Sequence, residues 1–281
     1  MLDLFIFQMK KMSLSFAFLL IALTGCIDFR MSHEDALKHL DNEENIIQFD
    51  TIKVDDRDIH YAFTDLGRDC LVIFIHGSPG SWSAFIDFFS ADSLLNVMDM
   101  VAIDRAGFGD SGYGDPEPCI EKQAYQMHSV VSRFPQSTKI LIGHSLGGPV
   151  VARMAMDFPE DYEKIILVSA SVDPELEVDG EMRSWLQNRF SKFLMPTDFW
   201  VSNEEIVPLK SELTLMNDKW SDVSCQVVAI HGAKDSLVPK ENVNYLMKMI
   251  PDSLLKVVWL PNVDHFIPWT DPEVITNELI N

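Results

Sequence analysis

Apolar and polar positions change period several times along the chain. Ile46 to Val54 and Asp58 to Thr64 alternate around Asp55-Asp56-Arg57, the pattern of a half-exposed antiparallel hairpin at a sheet edge. Leu71-Val72-Ile73-Phe74-Ile75 is apolar without interruption, which predicts a strand covered on both faces. From there strands and helices are predicted in turn: helix near Ser83 to Ser90, strand Met98 to Ile103, helix Ile120 to Phe134, strand Ile140 to Ile142, helix Val150 to Phe158 and strand Lys164 to Val168. Strand Gln226 to Ile230, helix Glu241 to Ile250, strand Leu255 to Leu260 and helix Pro272 to Ile280 complete the series. Regular alternation of this kind predicts an α/β fold: a mostly parallel eight-stranded sheet with helices on both faces.

Two stretches fall outside the alternation. Between Ala170 and Asp222 no strand-like run occurs, whereas Met182 to Leu194 and Glu204 to Met216 read as helices carrying Trp185, Leu186, Phe190, Phe193, Leu194 and Leu213. An insertion after the sixth strand's carboxyl end predicts a helical cap over residues 171–221, above a core formed by residues 46–170 and 222–281. Its aromatics are expected to serve mainly in packing, with a few lining a substrate cavity. At the other end, Lys10 and Lys11 precede the apolar run Leu14 to Leu23, which is too short to span a bilayer. A basic region, a short apolar region and Thr24-Gly25-Cys26 describe an export signal over residues 1–25. Residues 26–45 read as a polar tether with a short helix around His33 to Leu40, started by Ser32 with Asp35 three residues on.

Composition narrows the function. The 281 residues, 47% of them hydrophobic, can bury a large core, and a formal net charge of −21 argues against nucleic acid as a partner. Cys26, Cys70, Cys119 and Cys225 are too few and scattered for a disulfide framework, and no ligand spacing among the histidines supports a metal. No cofactor is expected, and no oligomeric state is read from the sequence.

The candidate chemistry stands where strands end. Gly143-His144-Ser145-Leu146-Gly147-Gly148 lies between a strand and a helix, the G-x-S-x-G arrangement that holds a serine out at the top of a sheet. His76-Gly77-Ser78-Pro79-Gly80, Asp104-Arg105-Ala106-Gly107-Phe108-Gly109, His231-Gly232-Ala233-Lys234-Asp235 and Asp264-His265 follow other strands, at the edge where parallel sheets place their ligands. A serine hydroxyl needs a base, and His265 is placed to supply one. The base needs a carboxylate to fix its tautomer, and Asp173 and Asp235 both follow predicted strands.

From about Ile46 onward the chain resembles the α/β-hydrolase family, whose order of nucleophile, acid and base Ser145, Asp235 and His265 obey. The resemblance implies an oxyanion hole made by the backbone N–H groups of Ser78 and Leu146. Ala106 departs from it, standing where the family usually has proline. Leu23-Thr24-Gly25-Cys26 resembles a bacterial lipobox, implying lipidation of Cys26 and attachment to a membrane of the cell envelope. Ile27 leans towards the outer membrane where one exists. A serine hydrolase acting on a small ester or amide is therefore expected, with a carboxylesterase ahead of a proline iminopeptidase-like enzyme. In the latter case Glu204 or Glu205 would hold a substrate amine, although exposed helix carboxylates are the simpler reading of both. A non-catalytic envelope lipoprotein that uses the fold for binding is the alternative of another class.

Overall fold

The computed structural model describes residues 29–40, 46–177, 184, 186–187 and 189–280. The export signal, Cys26 and Trp185 lie outside them. Eight strands form one sheet: β1 (Ile47–Val54), β2 (Arg57–Thr64), β3 (Cys70–Ile75), β4 (Met98–Ile103), β5 (Thr138–His144), β6 (Lys164–Val168), β7 (Gln226–Gly232) and β8 (Leu255–Leu260). Their spatial order is β1-β2-β4-β3-β5-β6-β7-β8. β2 is antiparallel to β1 and β4, and every later pairing is parallel.

The continuous apolar run of β3 is explained by its central place. Ile73 pairs with Val101 on one side and Leu141 on the other. Leu71, Ile73 and Ile75 belong to one apolar cluster, and Val72 and Phe74 to a second on the opposite face. The first cluster is closed by α3 (Ile120–Val131) and α4 (Gly147–Asp157), through Met127, Val130, Val151 and Met154. The second is closed by the 3-10 helix Trp82–Ser90 and by α10 (Pro272–Ile280), through Phe85, Phe89, Ile275 and Leu279. Period-two alternation in a strand thus fills two cores at once.

The remaining helices are α1 (His33–His39), α2 (Asp92–Leu95), α5 (Arg189–Leu194), α6 (Thr197–Ile206), α7 (Leu209–Met216), α8 (Asn242–Met249) and α9 (Ile267–Thr270). α1 begins at Ser32, whose side chain accepts from the Asp35 amide. Its Ala36 is buried, and Met31, Leu37 and Leu40 pack on the second cluster, so the segment lies against the sheet. The single cap helix expected over Glu204 to Met216 is two helices. Pro208, which has no N–H to donate and excludes a helical carbonyl four residues back, separates α6 from α7. α6 also begins seven residues before the expected start, directly after Pro196. Phe193 is 86% exposed and Leu194 62%, so these two do not serve the packing expected of the cap's apolar residues. Among the described residues no helix is long and apolar enough to cross a membrane.

Candidate active site

β5 ends at His144 and α4 begins at Gly147, leaving two residues to reverse the chain. Ser145 occupies the left-handed region at φ 54°. The conformation is held by the Ser145 amide donating to the Val168 carbonyl at 2.9 Å, and by the Gly148 amide donating to the Ser145 carbonyl at 3.0 Å. Position 147 admits only glycine, because a Cβ there would come 2.3 Å from the Ile75 carbonyl oxygen. The loop after β3 abuts the elbow: a Cβ on Gly77 would lie 3.0 Å from the Ser145 Cβ. Among the described residues, no hydrogen-bond partner is found for the backbone N–H of either Leu146 or Ser78.

Asp235, after β7, and His265, after β8, are brought together. His265 Nδ1 donates to Asp235 Oδ2 at 2.8 Å, while Asp235 Oδ1 accepts from the amides of Leu237 at 2.9 Å and Val238 at 2.8 Å. Burial alone would raise the Asp235 carboxyl, but the His265 hydrogen bond and charge, with the two amides, outweigh it and hold the group below its ordinary value. The carboxylate therefore stays ionised as a fixed partner for the imidazole. Asp173 is elsewhere: its Oδ1 accepts from the Glu175 amide at 2.9 Å and caps the short turn Pro174–Leu176. Asp264 Oδ1 accepts from the Phe266 amide, ordering the loop that carries His265.

Ser145 Oγ makes no hydrogen bond to His265. What ties His265 to the elbow is His144, whose Nε2–H donates to the His265 backbone carbonyl at 3.0 Å with the two rings 4.8 Å apart. Burial, with the adjacent His265, lowers His144 to about 3, so it stays a neutral donor. Sequence reasoning points the His144 side chain away from the serine. Its position as the brace of His265 follows only when β5 and the loop after β8 are seen together.

A second network was also not legible from the sequence. Arg105 is fully buried at the end of β4. It donates through Nε to the His76 carbonyl at 3.0 Å, through Nη2 to the Gly77 carbonyl at 2.8 Å, and through Nη1 to Gln123 Oε1 at 2.9 Å and Glu205 Oε1 at 2.6 Å. Glu205 Oε2 accepts from Ser78 Oγ at 2.8 Å, and Ser78 Oγ lies 3.0 Å from Ser202 Oγ. Glu205 is therefore not an exposed helix carboxylate; it is 1% exposed and shares its charge with Arg105. Burial pushes its carboxyl upward, against the pull of Arg105 and its hydrogen-bond donors. His76 Nδ1–H donates to the Gly77 carbonyl, and its Nε2 accepts from the Arg105 amide, so burial and the guanidinium charge keep it neutral. The base of α6 is thus bound to the loop carrying Gly77 and Ser78.

Apolar side chains lie against the two histidines, Phe266 beside His265 and Trp269 beside His144. Phe266 and Trp269, with ring centroids 6.0 Å apart, are each about half exposed. A cavity of about 620 Å³ lies elsewhere, lined by Asp55, Asp56, Arg57, Glu117, Lys122 and Asp157 among others, and includes none of Ser145, Asp235 and His265.

A sequence model of the alpha/beta hydrolase fold matches residues 71–206. The dihydrolipoyllysine-residue acetyltransferase component of the acetoin cleaving system of Cupriavidus necator is 31% identical over 146 residues, 50% of this chain and 37% of that protein. The chain thus spans little more than a third of that relative's length. Among solved structures, a bacterial membrane phospholipase A superimposes with a TM-score of 0.65 at 16% identity, over 96% of this chain and 97% of that one. Est816, an N-acyl homoserine lactone degrading enzyme, gives 0.67 at 16% identity, over 82% of this chain and 99% of that one. Strand order, the elbow after β5, the matched residues 71–206 and these superpositions agree: the chain has the α/β-hydrolase fold.

Proposed function

We propose that the protein is a serine hydrolase that cleaves carboxylic esters through an acyl-enzyme. The observation that carries the proposal is the His265–Asp235 hydrogen bond of 2.8 Å, with His265 braced by His144, the last residue of the strand that precedes Ser145. In this reading His265 Nε2 takes the Ser145 Oγ proton as the oxygen attacks the ester carbonyl, and Asp235 stabilises the imidazolium. The N–H groups of Leu146 and Ser78 receive the oxyanion, aided at Leu146 by the amino terminus of α4. Collapse of the tetrahedral intermediate passes the proton from His265 to the leaving alcohol, and water then repeats the sequence to release the acid. The half-exposed Phe266 beside His265 and Trp269 beside His144 suit an apolar acyl group, and the two solved structures named above are a phospholipase A and an N-acyl homoserine lactone degrading enzyme.

A second reading, an aminopeptidase, has one observation in its favour: Glu204 Oε1 is buried with no hydrogen-bond partner among the described residues, and an amine would supply one. Glu205 is less suited, since Arg105 already balances its charge. We further propose that lipid on Cys26 holds the protein at a membrane of the bacterial cell envelope; what supports this is the run Leu23-Thr24-Gly25-Cys26. A fluorophosphonate probe tests the nucleophile: labelling of the wild type that vanishes in Ser145→Ala supports the proposal, and failure of the folded wild type to label overturns it. Aliphatic esters should turn over faster than a prolyl anilide; the reverse order selects the aminopeptidase.

A further inference from the structure

We propose that His33, His60 and Asp110 form a binding site for one divalent transition-metal ion, zinc by the chemistry of the ligands, that fastens α1 to the catalytic domain. The three come from distant parts of the chain: α1, β2 and the loop after β4. Their ligand atoms all lie within 4.8 Å of one another. His33 Nε2 is 3.0 Å from His60 Nε2 and 3.7 Å from Asp110 Oδ2. A tetrahedral zinc with bonds of about 2.0–2.1 Å separates its ligand atoms by about 3.3 Å, a value these two distances bracket.

The surroundings are those of a built site. Asp104 is fully buried, and its Oδ2 accepts both from His60 Nδ1 at 2.8 Å and from the Asp110 amide at 2.9 Å. Its Oδ1 accepts from the Trp82 amide at 2.7 Å. One carboxylate therefore orients two of the ligands. It also leaves the His60 Nε2 lone pair facing His33, the arrangement in which a ligating histidine gives its other N–H to a carboxylate. Asp110 can hang from Asp104 because residue 109 is glycine, at φ 52°, where a Cβ would come 2.1 Å from the Asp104 carboxyl carbon. On the other side, the His33 ring stacks on Phe49 with centroids 3.8 Å apart and planes 5° from parallel. His60 is buried, whereas the side chains of His33 and Asp110 are 45% and 56% exposed, so an ion enters from solvent and keeps water in its fourth position. Two nitrogens and a carboxylate oxygen suit zinc better than calcium or magnesium, which take oxygen ligands.

None of these residues belongs to the proposed triad or oxyanion loop, so the site can be tested apart from the reaction. Full-length protein treated with chelator and then titrated calorimetrically with zinc chloride is expected to bind one equivalent and to melt at a higher temperature with zinc than without. His33→Ala should abolish both effects. Asp110→Asn should weaken binding by more than the roughly 10- to 100-fold that loss of an outer-shell partner costs. Near-ultraviolet circular dichroism of both variants should match the wild type, since both positions are on the surface. If the wild type takes up no zinc, or His33→Ala binds and is stabilised to the same degree, the facing imidazoles are a hydrogen-bonded pair only and the proposal fails.

Discussion

Ser145 sits at φ 54°, where an L-residue with a side chain costs roughly 1–2 kcal/mol relative to the right-handed region. That cost is borne by bonds on both sides of it, and its result is a side chain lifted clear of strand β5 at the carboxyl edge of the sheet. The neighbouring His144 converts burial into position. Its ordinary value of 6.5 is lowered to about 3, so below about pH 6.5 the unfolded chain accepts a proton that the folded imidazole refuses. Stability tied to His144 is therefore fully present above pH 6.5 and falls as the pH drops towards 3. The slope is about 1.4 kcal/mol per pH unit for each such group once the unfolded form is protonated. His144→Gln, which keeps an N–H donor for the His265 carbonyl but cannot titrate, should show a shallower loss between pH 5.5 and pH 4 by about that amount per unit. Urea denaturation at a series of pH values measures it, and parallel curves for variant and wild type would contradict the neutral assignment.

At the scale of elements, the join that matters is between α6 and the loop after β3. Arg105 and Glu205 are 100 residues apart in sequence and 2.6 Å apart in space, with neither exposed to solvent. Removing one partner of such a buried pair strands the other charge, at a cost of about 3–5 kcal/mol, so Glu205→Gln should lower the unfolding free energy by that order in chemical denaturation. Ser78→Ala separates positioning from stability: it retains the backbone N–H proposed for the oxyanion and removes the hydroxyl that ties the loop to Glu205. We expect kcat for an ester to fall between about 10- and 100-fold with KM little changed, as befits a misplaced donor. An unchanged kcat would separate this contact from the reaction. The difference between what was legible and what was not follows the range of each interaction. The elbow at Ser145, the loop of Asp235 after β7 and His265 after β8 are written in short runs whose local turns demand glycine or a capped carboxylate. The pairing of Glu205 with Arg105 leaves no local mark, because an amphipathic helix shows the same charges whether one faces water or a buried guanidinium. Pro208 was a signal present in the sequence, and reading it as a helix break would have divided the cap correctly.

The whole molecule joins an acidic body to a proposed anchor. Strand number and layer structure followed from periodicity because both faces of the sheet are covered and each register slip would turn apolar side chains into solvent; the spatial order of the strands did not. The docking of α1 did not follow, since its polar sequence gives no sign that Ala36 and the His33 ring meet the body. That docking changes how an anchor at Cys26 would act. The segment is fastened from Phe29 onward: Ser81 Oγ donates to the Phe29 carbonyl at 2.5 Å, the Phe29 ring meets Phe199 of α6, and Arg30 stacks over Tyr113 at 3.9 Å. Only Ile27 and Asp28 separate Cys26 from Phe29, a reach of roughly 10 Å at full extension. A lipid on Cys26 would thus hold the body within about one Debye length of the headgroups. The whole chain has a net charge of −21 and an anionic surface repels it, so acyl chains on Cys26 would have to supply the attachment. Two consequences distinguish this from adsorption. High salt should leave the wild type in the membrane fraction while detergent releases it, and Cys26→Ser should move the protein to the soluble fraction with its fluorophosphonate labelling intact. A Cys26→Ser protein that remains with the membrane and resists salt would mean that another part of the chain holds it there.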